Sequence, residues 1–477
     1  MPVLMQAFVE KKPDEEKLRK KKKPPQEAET PEPPKEIHLS QPHFEKGRYV
    51  FNLSGTKKEE YIESLRKMNI FPGDFNELQS EIDKIYNLAN AGIIDLSNVV
   101  MGRLENGTLR LNVGFDKLFI PFYEMIKEET GFDDEHIREI VETEDHPDKE
   151  KLLDVVMKVI FSLSEYKGNS NYVKTPEQFA VDMLNWKAMG KEAHEIPEGN
   201  CVDYALLVNE ILKGLGFDSS IIGIIPLDKY GTRETGHTTA AVVVEGYIID
   251  PAAFSEPKKV EKIVITRGKK RYNEFQFDIM KIYSGYFKDA VGFEFSEYKN
   301  EDELKSLYYY ENAIRKKKHS PEYKKNAKMA VELQPSNIYA ADLAGFMYKV
   351  MGDDAKDEKD KEKAEEMYKK STEIYRRMLE SNPESYLAIL YAVNGFYNIY
   401  INEKRLLGEK PKKFMEILYE KYAKKACRMY FDMVKSSKTD ISNYEKRPLP
   451  EEWIFLLGER IGKKKDAEKF ISSLRAE

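Results

Sequence analysis

The apolar positions change period twice along the chain, and the changes divide it. From about residue 57 to residue 195, EEYIESLRKM, ELQSEIDKIYNLANA, FIPFYEMIKEET and KLLDVVMKVIFSLSEY place apolar groups every three to four residues, the spacing of one helix face. Between residues 219 and 267 the pattern becomes SSIIGIIP, TTAAVVVE, YIID and KVEKIVIT. These β-branched runs, broken by Gly and Pro, predict a sheet. After about residue 300 amphipathic helices return, and two stretches there look alike, LQPSNIYAADLAGFMY and SNPESYLAILYAVNGFY.

In that pair Pro335 and Pro383 are 48 residues apart, and Gly345-Phe346 and Gly395-Phe396 are 50 apart. The spacing exceeds the ~34 residues of a tetratricopeptide unit by roughly the length of the charged insert DDAKDEKDKEKAEE. The helices are therefore loosely tetratricopeptide-like, with an ordinary helical domain carrying Pro at helix starts as an equal alternative.

Composition adds the ends and the surroundings. Residues 10 to 45 are Lys, Glu and Pro with almost no apolar groups, which predicts a disordered tail. The expected organisation is a tail over 1–45, a mostly helical region over 46–170, a core over 171–298 and a helical region over 299–477. A net charge of −6 on 77 basic and 83 acidic side chains gives no field of the kind a dedicated nucleic-acid binder needs. Lys far outnumbers Arg among the 34% charged residues, in the direction of heat-adapted proteins. Two cysteines in unlike contexts leave no disulfide framework, which favours a reducing, cytoplasmic setting. No window approaches the ~20 apolar residues of a membrane span.

The chemistry concentrates around Cys201. Pro197 and Gly199 precede a helical pattern, Asn200 is placed to cap it, and Gly214 and Gly216 are placed to end it. Cys201 then lies in the first helical turn, where the helix dipole favours the nucleophilic thiolate. Amide attack also needs a proton donor for the leaving amine. His237 follows Gly236 at the mouth of the TTAAVVVE strand, and Asp250 ends the neighbouring YIID strand. A turn at Glu245-Gly246 would pair Asp250 with Ala241 on the face His237 shares, but two pleats would then separate them by about 13 Å. The expected register instead pairs Asp250 with Thr239, directly or through a bulge, leaving a diagonal of ~7 to 8 Å.

These residues resemble the transglutaminase-like family. Gly199-Asn200-Cys201-Val202-Asp203 is similar to its Gly-x-Cys-x-Asp helix start, and Leu215 to Phe217 to its Leu-Gly-Phe exit. His237, Gly246 and Asp250-Pro251 are similar to its His-led strand, Gly turn and Asp-Pro ending. The order Cys, His, Asp is the family's, and the match covers roughly residues 175 to 255. The resemblance implies an α+β, papain-like core in which the Cys helix packs on an antiparallel sheet. It also implies a Cys201–His237–Asp250 triad performing acyl transfer on amides of a peptide or protein substrate, with no metal and no cofactor. Where cross-linking members often have Gln, Cys, Trp, this chain has Asn200, Cys201, Val202, so hydrolysis is favoured over cross-linking.

Other candidates carry less. A second oxyanion donor could come from Asn185 or Trp186, with neither assigned and Trp186 read as core. Cys427, in KKACRMYFDM, reads as a small buried hydrophobe. His136, His146 and His319 sit in charged stretches and read as exposed, and His194 as a loop residue. The competing function is an inactive scaffold of the same fold, offering its C-terminal helices to a protein partner.

Overall fold

In a computed structural model the chain is described over residues 118–168, 173–189, 195–231, 239–244, 246–250, 290–318, 320–402, 411–437 and 448–476, with shorter pieces elsewhere. It divides into two compact units, residues 1–115 with 407–410, and residues 116–406 with 411–477. The boundaries expected near 170 and 298 therefore run through one unit.

The first unit contains two antiparallel pairs, β1 (His43–Glu45) with β2 (Arg48–Val50) and β3 (Val99–Arg103) with β4 (Leu109–Val113). The helical periodicity had not announced them, although LRLNV does alternate in the manner of a strand. β1 lies within the last residues of the expected tail, and residues 1–42 fall outside the described ones, as does the segment EEYIESLRKM.

The second unit opens with helices α1 (Ile120–Thr130), α2 (Asp134–Glu142), α3 (Lys149–Ser162) and α4 (Pro176–Met189). Pro121 starts α1 where a missing N–H costs nothing, and Gly131 ends it in the left-handed region at φ 74. Two short strands, β5 (Glu165–Tyr166) and β6 (Glu198–Gly199), pair in parallel immediately before α5 (Cys201–Gly214). Then comes the sheet: β7 (Ser219–Leu227), β8 (Thr239–Val244), β9 (Tyr247–Ile249), β10 (Lys258–Lys259) and β11 (Gly292–Tyr298). Its order is β10-β9-β8-β7-β11, antiparallel throughout. Alternation along the strands gathers Ile222, Ile224, Ala241, Val243, Ile248 and Phe293 into one core cluster with Tyr283 and Phe287. The Cys helix α5 packs on β8 and β7. The fold is α+β, with an antiparallel sheet.

Helices complete the unit: α6 (Glu301–Ile314), α7 (Pro321–Leu333), α8 (Ile338–Asp357), α9 (Lys361–Ser381) and α10 (Tyr386–Asn402). After them come α11 (Pro411–Ile417), which continues through a π-helical turn at Leu418–Ala423 into α12 (Lys424–Ser437), then α13 (Leu449–Arg460) and α14 (Lys464–Ala476). The repeated Pro335 and Pro383 precede α8 and α10, and the repeated Gly345 and Gly395 both lie against the ring of Tyr375 on α9. The charged insert is no loop. It forms the end of α8 and the start of α9, with the turn between them made by Lys359 at φ 66.

These helices are tied to the sheet by a buried carboxylate. Glu294 of β11, 2% exposed, accepts from the Tyr386 backbone N–H at 2.9 Å and the Ser385 hydroxyl at 3.0 Å, capping α10. Among the described residues no helix is long and apolar enough to cross a membrane.

Candidate functional site around Cys201

The start of the Cys helix is built from its own sequence. Asn200 is extended and its side chain accepts from Val202 N at 2.8 Å and Asp203 N at 3.1 Å. Asp203 answers by accepting from Asn200 N at 2.8 Å, closing a capping box. The other carboxylate oxygen of Asp203 accepts from Lys174 N at 2.7 Å, which pins the segment entering α4. Gly199 lies so close to the Phe179 ring that a Cβ there would stand 2.3 Å from it, and its carbonyl accepts from Lys167 N at 2.8 Å. Asp203 is 1% exposed, and burial, partly offset by the Asn200 and Lys174 amides, pushes its carboxyl up to about 6.

Cys201 is buried, 8% exposed. Its thiol is hydrogen-bonded by the backbone of Ala240, the second residue of β8. Burial pushes the thiol up to about 12, with the Glu311 and Asp250 carboxylates adding to the rise and the Ala240 N–H and Arg315 opposing it. The expectation that the helix start would favour thiolate is thus outweighed, in this conformation, by removal from water. Glu311 and Arg315 come from α6 and its C-cap, where they form an ion pair, and Arg315 also donates to the Glu311 carbonyl at 2.9 Å. Asn312 beside them accepts from Val173 N at 3.0 Å, seating α6 next to the segment that holds Asp203. Sequence reasoning did not select this pair, and its four-residue spacing on a helix was the one signal available.

Asp250 is fully buried immediately after β9. The Tyr283 hydroxyl donates to its Oδ2 at 2.8 Å, and Ala253 N to its Oδ1 at 3.2 Å. The expected register is corrected. Val244 pairs with Tyr247, Val243 with Ile248 and Val242 with Ile249, which sets Asp250 level with Ala241 rather than Thr239. Two residues, Glu245 and Gly246, connect the strands, and Gly246 at φ +87 supplies the left-handed position a tight turn demands.

His237 lies outside the described residues, as do His194 and His319. The connection from β7 towards β8 is described as far as Gly231, and the C-terminal helices hold it there. The Tyr430 hydroxyl donates to the Lys229 carbonyl, the Tyr386 hydroxyl to the Gly231 carbonyl, and Leu449 N to the Tyr230 carbonyl at 2.7 Å. Structure therefore brings Cys201, Asp250 and the start of β8 together.

Of the two oxyanion candidates, Asn185 is buried, its Oδ1 without a hydrogen-bond partner among the described residues, while Trp186 is half-buried rather than core. Cys427 is fully buried, and burial pushes its thiol up. Compared with protein-family models, curated proteins and solved structures, the chain matches none.

Proposed function

We propose that this chain is a cysteine-dependent, amide-acting enzyme with a papain-like, transglutaminase-like core. Cys201 is the nucleophile, His237 the general acid and base, and Asp250 the group that orients His237. The thiolate attacks the amide carbonyl of a peptide or protein, His237 protonates the departing amine, and water attacks the resulting thioester to release the acid and restore the thiol. A cytoplasmic setting belongs to the same proposal. The observation that carries it is the position of the Cys201 thiol, in the first turn of α5 and against the backbone of Ala240, the second residue of β8 and three residues after His237 in the sequence.

The neutral thiol of this conformation must ionise before it reacts, so the competent state has to place an imidazolium or solvent at Sγ. A second reading, an inactive scaffold, is favoured by that buried thiol and by a groove of about 510 Å³ between α7, α8 and α9, where Val331, Tyr348 and Ile374 are flanked by both basic and acidic side chains, Lys370 and Glu373 among them. In that reading the groove receives a protein partner.

The deciding experiment is the rate of Cys201 alkylation by iodoacetamide from pH 4 to 10 in a Cys427→Ser chain, with and without His237→Ala. A rate that stays high well below the free-thiol pKa of about 8.5, and a titration that moves upward in His237→Ala, supports the enzyme. A thiol that stays unreactive up to pH 10 and ignores His237 supports the scaffold.

A further inference from the structure

Far from Cys201 in sequence, the turn between α2 and α3 gathers a second set of chemical groups. His136 and Glu139 are three residues apart on α2 and so share a face, and His146 comes from the turn that returns the chain to α3. One ligand atom from each lies within 4.8 Å of the others. The imidazole rings meet edge to face with centroids 5.4 Å apart. The sequence alone suggested two separate exposed histidines; here both are half-buried, and the chain around them is fixed. Asp133 accepts from His136 N at 2.8 Å, and the Phe132 ring packs at 4.6 Å from the His136 ring. Lys149, 1% exposed, donates from Nζ to the Glu144 carbonyl at 2.9 Å and from its backbone N to the His146 carbonyl at 3.1 Å, which holds the turn.

We infer that His136, Glu139 and His146 form a binding site for a late first-row divalent cation such as Zn²⁺. Two imidazoles and a carboxylate are the donor set such ions take, and neighbouring donors on a tetrahedral ion with bonds of ~2.0 to 2.2 Å stand about 3.5 Å apart. The cluster needs only a modest contraction to reach that spacing, within the reach of side-chain rotation. Asp148 supplies the outer partner that metal-bound histidines use: His136 Nε2 lies 3.1 Å from its Oδ2. In the neutral ring that contact favours the proton on Nε2, which leaves the Nδ1 lone pair on the side of Glu139, whose Oε2 is 3.7 Å away. Two carboxylates, Glu139 and Asp148, match the charge of a divalent ion.

His146 gives the site its own reporter. Its Nδ1 accepts from the Asp148 backbone N–H at 3.1 Å. A neutral imidazole that binds metal through Nδ1 gives up that lone pair, and one that binds through Nε2 must carry its proton on Nδ1. On either nitrogen the Asp148 amide loses its acceptor.

The test is calorimetric titration of Zn²⁺ into the full chain, freed of metal by a chelator and carrying Cys201→Ser and Cys427→Ser so that no thiol competes. One ion should bind per chain with micromolar or tighter affinity, and the Asp148 amide resonance should shift in step with saturation. His136→Ala should weaken binding at least 30-fold and Asp148→Asn about tenfold, the usual size of an outer-shell effect. Glu139→Gln changes a side chain that is 66% exposed, so it leaves folding undisturbed and should still weaken binding about tenfold. No saturable binding at 100 µM Zn²⁺, or an affinity unchanged by Glu139→Gln and His136→Ala, would overturn the site.

Discussion

Gly395→Ala reverses the sign that helix propensity assigns to it. In an unobstructed helix interior the substitution stabilises by about 0.5–1 kcal/mol, because glycine loses more backbone freedom on folding than alanine does. Here an added Cβ would stand 2.3 Å from Cε2 and 2.4 Å from Cζ of Tyr375, more than 1 Å inside an ordinary ~3.5–4.0 Å carbon contact. The ring is 2% exposed and also lies against Gly345, where a Cβ would stand 2.7 Å from Cζ, so a shift that relieves one contact is limited by the other. Overpacking of this kind costs about 1–3 kcal/mol, which after the propensity gain leaves a net loss of up to about 2.5 kcal/mol. Urea unfolding followed by far-UV circular dichroism reads the loss as a lower midpoint at unchanged slope. In a Tyr375→Leu background the obstruction is gone, and Gly395→Ala should become neutral or stabilising by up to about 1 kcal/mol. A higher midpoint for Gly395→Ala in the native background would refute the packing argument outright.

Two further outcomes follow from buried carboxylates. Asp203 has its folded-state carboxyl raised to about 6, above the unfolded value near 3.9, so its favourable contribution is complete below pH 4 and is lost as pH rises through 6. Asp203→Asn lacks that loss. Its stability penalty relative to the native chain should therefore shrink by about 2 kcal/mol between pH 4 and pH 7, and a penalty independent of pH would contradict the assignment. Glu294→Ala leaves the Tyr386 amide unpaired in the interior and should cost about 2–3 kcal/mol, whereas Glu294→Gln keeps an acceptor for it and should cost about 1 kcal/mol, both read from urea midpoints.

What the sequence disclosed about the site was what is local. Asn200, Asp203 and Gly216 mark the two ends of the Cys helix within a stretch of 17 residues, so the helix could be drawn in place from the chain alone. Strands β7, β8 and β9 were equally plain from their β-branched runs. The register was misjudged because it was reasoned backward from the distance a triad needs. In the folded chain the two-residue turn at Gly246 decides it first. Tyr283 on Asp250, and Glu311 with Arg315 beside Cys201, were out of reach because nothing local couples residues 33 or 110 positions apart. The repeat was visible but its reason was not: Gly345 and Gly395 recur because one tyrosine on the intervening helix needs both of them bare.

The same distinction bears on the motif at the helix start. Gly199 is required by the Phe179 ring, Asn200 by the N–H groups of the first turn, and Asp203 by the amides of Asn200 and Lys174. Any chain that docks a helix this way meets those demands whether or not it is an enzyme, so their presence argues for the geometry and not for the chemistry. Cys201 differs. Its neighbours among the described residues ask for a small side chain that can take a hydrogen bond from Ala240, a demand serine would meet with less reactivity and no sulfur. The functional weight of the motif therefore falls on one atom, the Cys201 Sγ, and on how readily it ionises when His237 is present and when it is not.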